Sequence, residues 1–468
     1  MQKTTRLNTR AILTLMLALF AGVAQELSGQ LNTNLLTYRG PVVKGVDTTT
    51  LNRKVMCGYQ GWFGAPGDGS LNPGWRHWTK RPGVLTDGNA KVDLWPNVSE
   101  LAPAELYLSD FKLSNGSPAA VFSSYQKATV VRHFKWMEDY GIDGVFVQRF
   151  ANSVRSPGNL EFCNTVLANC REGANQHGRT YAVMYDLSGL PAGHIEDVMN
   201  DWRTLRRQMA ITDDPAYLHH RGKPLVAVWG IGFNDDRQYT LEECRQLMEF
   251  LKHDPESGGC TVMVGVPAHW RELNRDSVND PRLLEVVKLA DVVSPWTVGR
   301  YSNLDEAANY AKKLLKPDLD WCRQAGIDYL PVVFPGFSWY NMYGKAYNLI
   351  PRQRGQFLWS QFLAAKQAGA LMVYVAMFDE VDEGTAIFKC ANEVPAGEKS
   401  KFITYEGLPS DYYLKMVGSG TKLIRGEKEI RPPSPSLSTQ DGAAVMFNTL
   451  SNTAPIREPV DNSPNSQK

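Results

Sequence analysis

From Lys54 onward, short runs of apolar and β-branched residues alternate with stretches whose apolar positions recur at helical spacing, eight of each. The runs are Val55 to Phe63, Gly144 to Phe150, Thr180 to Asp186, Pro224 to Trp229, Thr261 to Val266, Asp291 to Trp296, Tyr329 to Pro335 and Leu371 to Phe378. Several are nearly continuous hydrophobic segments, as expected of strands covered on both faces. Strict alternation of such strands with helices predicts parallel βα units. Eight units favour an α/β fold of the closed (β/α)8 TIM-barrel type. No Gly-rich phosphate fingerprint follows the first strand, which removes the main reason to prefer an open nucleotide-binding sheet.

The helical stretches carry their own punctuation. Thr240-Leu241-Glu242-Glu243 is a capping box, followed by Cys244, Leu247, Met248 and Leu251 on one face. A second helix is predicted from about Tyr125 to Tyr140, with Val130, Phe134 and Met137 on one side and Gly141 placed to end it in a left-handed cap.

Two regions break the rhythm. About sixty residues separate the first strand from the first helix and are rich in aromatics, among them Trp75, Trp78, Trp95 and Tyr107. They predict a long aromatic first βα loop folded over the barrel mouth. The polar Pro/Ser-rich tail from about Arg431 lacks the apolar surface to order itself. At the other end, Lys3, Arg6 and Arg10 precede an apolar run from Ala11 to Ala24, the pattern of a signal peptide rather than a membrane span. The expected organisation is therefore a leader over 1–24, a lead-in over 25–53, the catalytic barrel over 54–416 and a C-terminal extension over 417–468, disordered from about 431. The mature chain is expected to be exported, periplasmic or extracellular, with no stable membrane span.

Composition narrows the function classes. Fifty basic and forty-nine acidic residues leave a formal net charge of +1, so no electrostatic grip on nucleic acid is indicated. Seven cysteines are scattered without a CxxC pair, which argues against a zinc site, leaves one or two disulfides open, and has Cys163 and Cys170 packing as small hydrophobes. His77, His220 and His269 could ligate a metal only if the fold gathered them. No metal and no cofactor is expected, and oligomeric state is not readable.

The sharpest chemistry follows the eighth strand, where Asp379-Glu380-Val381-Asp382-Glu383-Gly384-Thr385 crowds four carboxylates into five positions. Glycosidic cleavage needs one carboxyl group to protonate the leaving oxygen and a second to act as base or nucleophile, and neighbouring carboxylates drive each other apart in protonation state. Glu380 and Glu383 are the leading catalytic pair. The same run also fits a helix cap, with Asp379 and Asp382 the better candidates for that structural role. Asp186 at the end of the third strand, with Tyr185 beside it, fits either a sugar-binding carboxylate or a cap. Arg149 fits either a substrate contact or a buried ion pair. Trp62, Trp229, Trp270, Trp296 and Trp339 each follow a predicted strand, with Tyr59, Tyr301 and Phe337 nearby, and together suggest a sugar platform.

Glu380-Val-Asp-Glu383-Gly-Thr resembles the Glu-x-x-Glu-Gly-Thr signature of glycoside hydrolase family 99, the endo-α-mannosidases and endo-α-mannanases. Gly58-Tyr59-Gln60-Gly61-Trp62-Phe63 resembles that family's aromatic first strand, Trp75-Arg76-His77-Trp78 its His-Trp element, and Tyr140-Gly141-Ile142-Asp143-Gly144-Val145 the approach to its second strand. The likeness runs from about Lys54 to Lys389. It implies a metal-independent barrel that cleaves α-linked sugars with retention, through participation of the sugar's own 2-hydroxyl. Glu383 would be general acid/base, Glu380 would assist the 2-hydroxyl, and His77 and Trp78 would join the substrate site. Val381-Asp382 stands where the family has Trp-His, and Met184-Tyr185-Asp186-Leu187 stands in place of its acidic third-strand motif, so a broader 71/99-like grouping, sometimes labelled xylosidase/arabinosidase, accommodates the chain and the sugar stays open. The expected function is an exported glycoside hydrolase acting on an oligosaccharide or polysaccharide. The alternative is a catalytically weak or inactive glycan-binding barrel.

Overall fold

The computed structural model describes residues 34–427. The expected leader and the Pro/Ser-rich tail lie outside them. Eight parallel staves form the barrel: β1 (Val55–Tyr59), β2 (Gly144–Phe150), β3 (Thr180–Asp186), β4 (Lys223–Trp229), β5 (Thr261–Pro267), β6 (Val292–Trp296), β7 and β8 (Val373–Val375). The seventh stave, β7, is a broken strand of two pieces, Asp328–Tyr329 and Val332–Val333. Its first piece pairs with β6, with Asp328 opposite Val292, and its second pairs with β8, with Val332 opposite Tyr374. Between the pieces stands Pro331, which has no N–H to give a ladder. β8 pairs in turn with β1, and β1 with β2, so the circle of staves closes through the broken strand.

The staves are buried along nearly their whole length, which is why they read as continuous apolar runs. The eighth is shorter than its sequence suggests. Leu371 is exposed, and the ladder ends at Val375. Helices follow each stave. The helix Lys127–Tyr140 ends at Gly141 with φ 75°, the left-handed cap that glycine adopts without steric cost. The helix Leu241–His253 starts on the reciprocal capping box, with Thr240 Oγ1 accepting from Glu243 N. The eighth helix, Tyr412–Arg425, buries Tyr413, Leu414, Val417 and Ile424, so the barrel boundary expected at 416 falls inside it. An apolar helical face carries the packing past that point.

The first loop is a built structure, not a strand-to-helix tether. The hairpin of Tyr107–Lys112 and Pro118–Val121 anchors it, and Trp95 packs against Phe111 and Phe402. Asp93 N and Leu94 N both donate to Val381 O, tying it to the turn after β8. All seven cysteines are unpaired, so neither open disulfide forms. No described helix is long and apolar enough to cross a membrane.

Candidate active site

The alternation of side chains along a stave decides which residues reach the mouth. On β1 Gly58 faces inward, as does Gln60 just past its end, and a Cβ at Gly58 would lie 2.2 Å from Tyr374 Oη. Tyr59 faces outward and places its hydroxyl 2.8 Å from His133 Nδ1 on the first helix. It is a core residue rather than the expected sugar contact. The same phase applies on β2 and β3. Gln148 points in, toward Tyr374, while Arg149 points out and grips Asp201 through Nε at 2.6 Å and Nη2 at 2.5 Å. Tyr185 joins this outer network by donating to Asp201 at 2.6 Å. Arg149 is thus held in a buried ion pair, and both Arg149 and Tyr185 point at Asp201 rather than into the barrel. Trp270 is likewise buried behind the wall, with its indole N–H on Asp318, and Trp78 is enclosed in the first loop, donating to Phe122 O. Their size and apolar rings are used for packing there.

The turn after β8 brings its carboxylates to the mouth in distinct settings. Asp379 is fully buried and accepts from Gln60 N and Gly61 N, both at 2.8 Å, so it fastens the end of β1 to the turn. Burial pushes its carboxyl up to about 7. Glu380 accepts from Gln60 Nε2 at 2.5 Å and from Thr385 Oγ1 at 2.6 Å. Burial, and then the adjacent Glu383 and Asp382 charges, hold Glu380 well above the usual carboxylate range. Glu383 is partly exposed, and its carboxyl is raised to about 7 by burial first and Asp382 second. The Trp339 indole lies near enough to lower it, without completing a hydrogen bond. The two donors on Glu380 oppose that rise without cancelling it, so both carboxyls of this coupled pair stand above the usual range.

Asp382 is buried beside them, with Oδ2 3.3 Å from His77 Nδ1 and 3.5 Å from Lys91 Nζ. His77 has a positive φ of 62° and stacks on Trp62, ring centroids 3.9 Å apart. Burial and then Lys91 push the imidazole down to about 4. Across the mouth, Asp186 accepts from Ser188 N at 2.8 Å and is raised by burial. Trp229 and Trp296 meet edge to face at 5.4 Å, and the Arg237 guanidinium lies 5.0 Å from the Trp229 ring. Trp62, Trp229, Trp296 and Trp339 thus remain partly exposed, Trp62 tied to Asp382 through His77 and Trp339 lying beside Glu383.

Polar atoms without a protein partner gather here. Among the described residues they include Gln60 Oε1, the indole nitrogens of Trp62, Trp229 and Trp339, and Asp382 Oδ1. Buried polar groups are rarely left unpaired, and a cluster of them among aromatic rings suits a hydroxyl-bearing ligand. His77, His220 and His269 are each bonded to a different aspartate, and no group of three or more metal-ligating side chains occurs among the described residues. Gln60, Lys91, Thr385 and Arg237 were absent from the sequence-based set. Thr385 carried a signal, the Gly-Thr of the motif. Lys91 and Arg237 carried none, because loop folding alone brings them to the mouth.

Comparison with solved structures adds the fold relationship. The chain shares its fold with glycoside hydrolase family 99. The family 99 endo-α-mannosidase of Bacteroides thetaiotaomicron superimposes with a TM-score of 0.60, covering 81% of this chain and 99% of that one at 16% identity. A second structure from that organism, in complex with bis-tris-propane, gives a TM-score of 0.58 over 81% of this chain and 98% of that one at 15% identity. No family model matches the sequence, and no curated protein matches it either. At these identities the likeness to family 99 speaks for the barrel and not for its substrate.

Proposed function

We propose that this chain is a glycosidase that cleaves an α-linked glycan with retention, using Glu383 as general acid/base and Glu380 to assist the sugar 2-hydroxyl. The observation that carries the reading is the asymmetry of the pair. Glu380 is buried and held by two donors, Gln60 and Thr385, whereas Glu383 is partly exposed with its carboxyl raised to about 7. Glu383, open to the mouth and raised toward neutral pH, can protonate a leaving oxygen, and Glu380, fixed beside it by Gln60 and Thr385, can accept a proton from a hydroxyl when ionised. The flat apolar face of a sugar would rest on the rings of Trp229, Trp296 and Trp339, while Asp186 and His77 offer directional hydrogen bonds and Trp62, stacked between His77 and Phe150, holds the His77 ring in place. In the retaining sequence, Glu383 gives its proton to the departing sugar as the 2-hydroxyl oxygen bonds to the anomeric carbon and passes its own proton to Glu380. Water then attacks the anomeric carbon as its bond to the 2-oxygen breaks, Glu383 taking the water's proton and Glu380 returning its proton to the 2-oxygen.

The substrate class rests on the family resemblance and on the fold shared with an endo-α-mannosidase. Export to the periplasm or outside the cell rests on the basic and apolar pattern of residues 1–24. Digestion of a library of α- and β-linked glycans, read by mass spectrometry, tests the reading. Release of products from α-linked members alone is expected. Binding of those glycans without any product would instead identify a non-hydrolytic glycan-binding barrel.

A further inference from the structure

Beside Glu383, the loop after β7 carries a line of aromatic rings from the mouth to solvent. Ser338 N donates to Glu383 O at 2.9 Å, which fixes this loop against the catalytic turn. Phe337 packs on Trp339 with centroids 4.9 Å apart, and Trp339 on Tyr343 at 5.0 Å. Trp339 is partly exposed and Tyr343 is 58% exposed, with Tyr347 and Leu349 also exposed nearby. Apolar surface held open in a row next to a site calls for an occupant.

The row is held firmly. Tyr340–Tyr343 forms a single helical turn that ends at Gly344, φ 65°. Asp93 accepts from Tyr340 N and Asn341 N, both at 2.7 Å, and Asn341 Nδ2 donates to Val92 O and Lys401 O, also at 2.7 Å. Tyr347 Oη donates to Phe402 O at 3.1 Å. The exposed Tyr343 ring is therefore presented from a base cross-linked to the first loop and to the segment after β8. Preorganised aromatics cost little ordering entropy when a ligand lands on them.

The position of the row relative to the two carboxylates gives it a direction. Glu380 is bonded toward β1 through Gln60, whereas Glu383 adjoins Ser338 and Trp339 of the β7 loop. A general acid stands beside the leaving oxygen, so rings that continue outward from Glu383 lie on the leaving-group side of the bond. We propose that Tyr343, continuing from Trp339, is a stacking platform for a sugar unit on the leaving-group side of the scissile bond. This deepens the glycosidase reading and rests on it.

The test measures binding of the full chain and its Tyr343→Ala variant to α-linked gluco-, manno- and xylo-oligosaccharides graded from disaccharide to hexasaccharide. Leu371→Ser, which changes an exposed apolar residue at the opposite end of the barrel, is the control. The expected result is that affinity rises with extension at the reducing end, that Tyr343→Ala weakens the longer glycans by about tenfold, and that disaccharide binding and Tm stay unchanged. An unchanged length dependence in Tyr343→Ala overturns the platform while leaving the glycosidase reading intact, and is also what a protein-docking role for Tyr343 would give. Absence of binding to every member by the unaltered chain, together with no product in the library digestion, overturns both.

Discussion

Gln60 Nε2 donates to Glu380 Oε1 at 2.5 Å across 320 positions of sequence, while the Gln60 backbone N–H is separately held by Asp379. The side chain can thus be altered without releasing the strand end. Gln60→Met is expected to lower kcat by about tenfold or more with little change in KM or Tm, because a hydrogen bond to a charged group is worth roughly 1.5–3 kcal/mol. Steady-state kinetics beside a thermal melt check this. An equal loss of Tm with kcat intact would make Gln60 a structural residue only.

Lys91 and Asp382 act on Glu383 in opposite senses, Lys91 lowering its proton affinity and Asp382 raising it. Glu383 works as an acid when protonated, so the basic limb of kcat/KM is expected near pH 7. Lys91→Met removes the lowering charge and should move that limb to higher pH. Asp382→Asn removes the raising charge and should move it lower. Glu380 and Asp186 also face the group and stay constant in both variants. Shifts of the same sign in the two variants, or none in either, would contradict the assignment of Glu383 as acid.

Arg149 belongs to the scaffold. Its pairing with Asp201 is buried on both sides, so Arg149→Met leaves the Asp201 carboxylate in the wall without its cation, with the Tyr185 hydroxyl still donating to it. The expected cost is about 3–5 kcal/mol of unfolding free energy, read by denaturant titration. Glycan affinity of the folded fraction should be unchanged, and a selective loss of affinity with full stability would return Arg149 to the substrate site.

The staves were legible because strands buried on both faces read as unbroken apolar runs. That same property hid their phase. When inner and outer faces are equally apolar, sequence does not say that Gln148 points in and Arg149 out, or that Tyr59 and Tyr185 face the helices. The outward positions of Tyr59, Arg149 and Tyr185 follow from that lost phase, and Trp270 from a tight turn that carries it behind the wall. Glu380 and Glu383 stood out because acidic residues directly after a buried strand are unusual. Their partners Gln60 and Lys91 lie in the first strand and loop, and only barrel closure and the docking of Asp93 and Leu94 on Val381 bring them there. The break in β7 had a local signal, Pro331, whose missing N–H interrupts the ladder where the stave changes partners.

The division of labour between the two glutamates is the central claim, and leaving-group dependence tests it most directly. Glu383→Gln and Glu380→Gln each keep the side-chain shape and remove the proton chemistry, and each should lower turnover on the natural glycan by at least about 100-fold. On an aryl glycoside whose phenol departs without protonation, Glu383→Gln should recover much of its rate in the glycosylation step. Glu380→Gln should not, because a better leaving group does not replace assistance to the 2-hydroxyl. Rescue of Glu380→Gln rather than Glu383→Gln would reverse the roles. Near-native turnover of both variants on the natural glycan would contradict the account and return this acidic turn to a purely structural part of the barrel.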